Sequence, residues 1–126
     1  MAFEWKGVFP ALLTPFTKDE QLDLSMYETN LQAQLDAGIH GIIIGGSLGE
    51  ASTITEKEKE SLTEFSVEYI NGRIPVIVNI AESTTSEAVK QAALAQKWGA
   101  DGIMLLPPMR YKTDDRETIT YFKAVA

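Results

Sequence analysis

Six consecutive residues, Gly45-Gly46-Ser47-Leu48-Gly49-Glu50, place a hydroxyl, a carboxylate and three glycines directly after the apolar run Ile42-Ile43-Ile44. Glycine adopts positive φ without strain and lets a ligand come close to the backbone. Successive N–H groups in such a loop form a concavity suited to a carboxylate or phosphate. The N–H groups of Ser47, Leu48 and Gly49 could cradle an oxyanion, and Ser47 adds its hydroxyl. Glu50 could hold the loop or act as an acid. A tight strand-to-helix turn, with glycines for packing and Glu50 on a backbone amide, uses the same residues without a ligand. The spacing fits neither the dinucleotide fingerprint nor the Walker loop, since no Gly-Lys-Ser/Thr follows.

Two other loops carry reactive groups. Asn79, Glu82, Ser83, Thr84 and Thr85 follow an apolar run, and helix capping accounts for most of them. Pro107-Pro108-Met109-Arg110-Tyr111-Lys112 offers Tyr111 for proton transfer and Arg110 as a carboxylate clamp. Its simpler reading is a strand terminator with solvated charges. His40, the single histidine, precedes the second apolar run and falls at the end of the fold away from these loops, as a turn or surface residue. That position gives a Ser-His-Asp triad no workable geometry. There is no cysteine and no histidine cluster, so no metal site or other cofactor is expected.

The elements that would position these groups alternate in type. Four apolar runs of strand length occur at Val8–Leu13, Gly41–Ile44, Val76–Ile80 and Gly102–Leu106. Nearly continuous Ile and Val suit strands covered on both faces, although Pro10 is tolerable only at an edge or bulge. Between them lie helical patterns. Leu24, Tyr27, Leu31 and Leu35 share one face, with Gly38 placed to end the helix. Thr55-x-x-Glu58, Thr84-x-x-Glu87 and Asp114-x-x-Glu117 each read as a capping box opening a helix. The order is βα repeated four times, which implies a parallel sheet with ligand loops at the strands' C-terminal ends. Thr14-Pro15-Phe16-Thr17 is the first such loop. A faint repeat pairs Ala37-Gly38-Ile39-His40-Gly41-Ile42 with Trp98-Gly99-Ala100-Asp101-Gly102-Ile103, both at a helix end turning into a strand.

The 126 residues suffice for one domain, 1–126. A net charge of −7 argues against nucleic acid or an acidic membrane as partner. No apolar run approaches the roughly 18 residues that span a bilayer. The first residues lack the basic and apolar regions of a signal peptide. A soluble, cytoplasmic protein is expected.

Taken in order, these segments resemble the start of the dihydrodipicolinate synthase / N-acetylneuraminate lyase family of class I aldolases. The likeness runs through Gly7 to Phe16, Ala37 to Ile42, Gly46 to Glu50, Asn71 to Val78 and Gly99 to Pro108. It implies the N-terminal (βα)4 half of an eight-stranded (βα)8 TIM barrel, in an oligomeric enzyme that acts on pyruvate or related 2-oxo acids through a lysine Schiff base. On that likeness, Ser47 and the Leu48 amide grip the keto acid's carboxylate, and Gly46, Gly49 and Glu50 fill the motif's other positions.

The chain departs from the family pattern at three places. Leu48 stands where many dihydrodipicolinate synthases have a second threonine of a proton relay, which points away from lysine biosynthesis and toward an aldolase or dehydratase of 2-keto-3-deoxy sugar acids. Met109 and Arg110 occupy the places of a Tyr-Tyr or Phe-Tyr pair, and Tyr111 matches only loosely. The family's imine lysine and acid/base tyrosine belong to its sixth and fifth strands, beyond this sequence. The eight lysines here are Lys6, Lys18, Lys57, Lys59, Lys90, Lys97, Lys112 and Lys123, read as mostly on exposed helix faces. Only Lys112 lies near the expected mouth.

The sequence therefore reads as a half-barrel that retains the carboxylate loop and is inactive alone. Its last helix runs to Ala126 without a stop signal, as if cut from a longer gene. Two unpaired sheet edges predict a homodimer or larger homo-oligomer that closes a barrel, or failing that a flavodoxin-like rearrangement. The alternative of a different class is a non-catalytic engineered or truncated scaffold that self-associates.

Overall fold

A computed structural model describes residues 2–126. Four helices alternate with three strands: α1 Leu24–Asp36, β1 Ile42–Ile44, α2 Glu56–Ile70, β2 Val76–Ile80, α3 Thr85–Lys97, β3 Gly102–Leu105 and α4 Asp115–Val125. The strands form one parallel sheet in the order β1-β2-β3. Ile43 pairs with Ile77, and Ile77 with Gly102.

The expected first strand, Val8–Leu13, does not form as a regular strand. It runs beside β1 and makes a single parallel bridge, Ala11 to Ile43. Leu12 N–H donates to Ile43 O (3.0 Å), and Ile43 N–H to Pro10 O (2.9 Å). Pro10 has no N–H to extend the ladder. The expected strand position is correct, but the residue that interrupts it reduces it to a bridge.

The helix ends follow their local chemistry. Capping boxes are complete at Thr55/Glu58 and Asp114/Glu117. At α3 only half of one forms: Thr84 accepts from Glu87 N–H, while the Glu87 carboxylate turns instead to Lys90 (3.4 Å) and Gln91 (3.2 Å). α2 stops at Asn71 in the left-handed region.

The sequence repeat has a structural meaning. Helices α1 and α3 end on Ala37 and Trp98 with matching backbone angles, and Gly38 and Gly99 follow at φ 80° and 89°. Three residues after each helix end, a side chain clamps the start of the neighbouring strand segment. His40 Nδ1 accepts from Val8 N–H (3.0 Å), while His40 N–H donates to Val8 O (2.9 Å). Asp101 Oδ2 accepts from Val76 N–H (2.9 Å), while Asp101 N–H donates to Val76 O (2.9 Å). His40 is thus a strand clamp at the N-terminal end of the sheet.

The main core lies between the sheet and α1/α2: Leu12, Tyr27, Leu31, Ile42, Ile44, Leu62, Ile70 and Val76 are buried together. A second cluster of Ile80, Ala88 and Tyr121 joins β2 to α3 and α4. The other sheet face holds an open apolar concavity of about 320 Å³ lined by Trp5, Phe9, Ile43, Ile77, Ile103 and Met104.

Candidate functional site

The Gly45–Glu50 loop leaves β1 through Gly45, whose φ of 68° suits glycine, and enters a single 3-10 turn at Ser47–Gly49. Gly49 has no room for a side chain: a Cβ there would lie 2.8 Å from Leu12 O. Glu50 sits in the left-handed region at φ 65° and accepts from Thr53 Oγ1 through Oε2 (2.8 Å). Its carboxylate therefore holds the turn. Ser47 and Leu48 are exposed, with Leu48 at 66%, while Gly45, Gly46 and Gly49 are buried.

Of the three amides expected to cradle an oxyanion, one is already committed. Gly49 N–H donates to Gly46 O (2.9 Å), as does Ala51 N–H (3.1 Å). The Ser47 and Leu48 N–H groups donate to no backbone carbonyl among the described residues. The first donors of a helical turn lack partners within it. The loop thus has two uncommitted amides on two exposed residues, one of which carries a hydroxyl.

Three buried contacts hold the loop from beneath. Thr14 Oγ1 donates to Gly49 O (2.7 Å), and Asn79 Nδ2 donates to Gly45 O (2.9 Å). Lys59 Nζ donates to Asn79 O (3.4 Å). Asn79 is buried and its Oδ1 has no hydrogen-bond partner. An orphaned buried acceptor of this kind costs about 1–3 kcal/mol.

Lys59 is the exception among the otherwise exposed lysines, because it is only 7% exposed and packs against the loop's base. Burial pulls its pKa below the usual lysine value, opposed by the charges of Glu82 and Glu56. Glu56 is itself held below the usual carboxylate range, chiefly by its hydrogen bond from Lys90. Tyr121 is pushed up by burial and by Glu82, and its hydroxyl donates to Leu106 O (2.7 Å).

The other candidates are not gathered to the loop by any hydrogen bond. Tyr111 is 76% exposed, and the Arg110 guanidinium carbon lies 5.9 Å from its ring centroid. Lys112 is exposed. Thr84 is the N-cap of α3, in agreement with the capping reading of its segment. Among the described residues, no group of three or more His, Asp or Glu is placed to hold a metal ion, and no helix is long and apolar enough to cross a membrane.

The sequence places Thr14 in the first loop without a role of its own, Lys59 on a charged helix, and Asn79 in a segment that capping mostly explains. One signal was available: Asn79 is the single polar residue in the run Val76-Ile77-Val78-Asn79-Ile80. Thr14 and Lys59 carry no comparable mark, because their contacts depend on chain segments far away in sequence.

A parallel sheet with helices between its strands and a glycine turn at a strand's C-terminal end defines a partial α/β barrel. The sequence profile of the Dihydrodipicolinate synthetase family matches residues 4–126, and the chain belongs to that family. It is 38% identical over 122 residues to a 4-hydroxy-tetrahydrodipicolinate synthase from Exiguobacterium sibiricum, covering 97% of this chain and 42% of that protein. Dihydrodipicolinate synthase DapA-2 from Bacillus anthracis superposes with a TM-score of 0.93 at 27% identity, over 98% of this chain and 42% of that one. YagE, a prophage protein of the dihydrodipicolinic acid synthase family from E. coli K12 solved in complex with pyruvate, gives 0.89 at 30% identity, over 97% of this chain and 41% of that one. The chain therefore spans less than half the length of these relatives and corresponds to the N-terminal half of their barrel.

Proposed function

We propose that this chain supplies the 2-oxo-acid carboxylate grip of a Schiff-base aldolase or lyase, with Gly46, Ser47, Leu48, Gly49 and Glu50 forming it. The observation that carries this reading is the pair of uncommitted amides at Ser47 and Leu48, both on exposed residues, next to the Ser47 hydroxyl. Two N–H donors and an O–H can hold both oxygens of a carboxylate in charge-assisted hydrogen bonds. Leu48 supplies its amide but no hydroxyl, so the grip binds without relaying a proton, as suits a 2-keto-3-deoxy sugar acid aldolase or dehydratase. A relative solved with pyruvate adds weight to a 2-oxo acid as ligand.

None of the eight lysines forms the imine in this reading. Lys59 is buried against Asn79 O with its amine engaged, and Lys112 is solvated and not desolvated enough to act as a nucleophile. The chain alone binds without turning over. Titration of 15N-labelled protein with pyruvate tests this. Saturable shifts confined to the Ser47 and Leu48 amides and their neighbours are expected. Shifts centred on the 107–112 loop, or none, would sink it.

A second reading is favoured by the open apolar face around Ile43, Ile77 and Met104. There the chain pairs with a copy of itself to close a barrel as a scaffold. Sedimentation velocity that finds a folded monomer at all concentrations would rule it out.

A further inference from the structure

The glycine loop is pinned at both ends by side chains from two different neighbouring segments. Gly45 O accepts from Asn79 Nδ2 on β2, and Gly49 O accepts from Thr14 Oγ1 on the N-terminal segment. Both contacts are buried and both engage carbonyl oxygens, while the Ser47 and Leu48 N–H groups stay uncommitted. Asn79 also leaves its Oδ1 unpaired. An apolar residue at this strand position would avoid that cost, so packing alone does not account for an asparagine here. Its single buried contact from the side chain is the one to Gly45 O.

We propose that Thr14 and Asn79 are positioning residues that hold the glycine loop in its anion-binding shape, so that Ser47 and Leu48 present their amides to the 2-oxo acid. This rests on the carboxylate-grip reading above. Neither side chain contacts the ligand. Thr14 sets the end of the loop through Gly49, and Asn79 sets its start through Gly45.

The sharpest variant is Asn79→Val, which keeps a strand-favouring side chain, removes the orphaned acceptor and removes the clamp. It should fold with a denaturant midpoint close to wild type, because the loss of the orphaned Oδ1 offsets the Gly45 O left without its donor. Its pyruvate affinity, read from the Ser47 and Leu48 amides, should fall by about tenfold, the size of one lost hydrogen bond. A residue that mattered only for stability would not lose binding while the fold held firm. Thr14→Val should weaken pyruvate similarly and speed hydrogen exchange at the Gly49 and Ala51 amides, with Thr14→Ser restoring both. Wild-type affinity and wild-type loop exchange in Asn79→Val and Thr14→Val together would overturn the proposal, as would losses that merely track global stability. If wild-type protein shows no pyruvate response, the grip reading fails. The ligand-free exchange at Gly49 and Ala51 then decides the positioning role by itself: faster in Thr14→Val supports it, unchanged overturns it.

Discussion

The two faces of the three-stranded sheet differ in how completely they are covered. On the helix side, Ile42, Ile44, Val76 and Val78 are sealed, and Leu31 and Leu62 close the layer from α1 and α2. On the other side, Ile43, Ile77 and Met104 line an open hollow with only Trp5 and Phe9 beside them. Trp5 is still 57% exposed. The same Ile-rich strands therefore have one finished surface and one unfinished surface. The finished face holds the chain together, and the glycine loop sits where it meets the N-terminal segment. The unfinished face is the one that a barrel interior would fill.

Cutting into the closed face should give the largest effect. Leu62→Ala removes a fully buried side chain between α2 and the sheet and should cost about 2–5 kcal/mol in urea unfolding. A loss under about 1 kcal/mol would mean that this layer is not the main core.

Alkaline pH probes the same face. Burial pushes Tyr27 up to about 12, against an ordinary value of 10.0. With its folded value raised, its contribution is fully present below pH 10 and is lost as pH rises toward about 12. The two-unit difference corresponds to about 2–3 kcal/mol. Tyr27→Phe should flatten this alkaline limb while costing about 1 kcal/mol at neutral pH, because the buried Tyr27–Ser66 hydrogen bond is lost while Ser66 keeps its bond to Leu62 O. An unchanged limb in the variant would place the titrating group elsewhere.

Met104→Ala, on the open face, should cost no more than about 1 kcal/mol, since the side chain is only half-buried. A penalty matching Leu62→Ala would show that the open face is covered in solution, most simply by another copy. Smallest of all, Lys90→Met should leave the unfolding midpoint within error at moderate salt. Its pairs with Glu56 and Glu87 are solvent-exposed.

This contrast also marks what the sequence made legible. The order of strands and helices, the caps at Thr55 and Asp114 and the paired turns before His40 and Asp101 all depend on neighbours a few residues apart. Those features read directly from spacing. Pro10 announced its own interruption of the first strand. The glycine loop stood out by composition, but its inner supports did not, because Thr14 and Gly49 are 35 residues apart and Asn79 and Gly45 are 34. Only the fold brings them together. Lys59 illustrates the same limit from the other side. Its place on a charged helix suggested solvent, whereas the helix's packing turned it inward toward Asn79.

If the proposed grip holds a keto acid while none of the chain's lysines forms an imine, binding should be reversible and never covalent. Incubating the intact chain with pyruvate and borohydride, then weighing it by mass spectrometry, puts that to a direct test. The mass should stay that of the unmodified chain, even at pyruvate concentrations that saturate the Ser47 and Leu48 amide shifts. A reduced pyruvyl adduct on any lysine, Lys59 and Lys112 included, would contradict it.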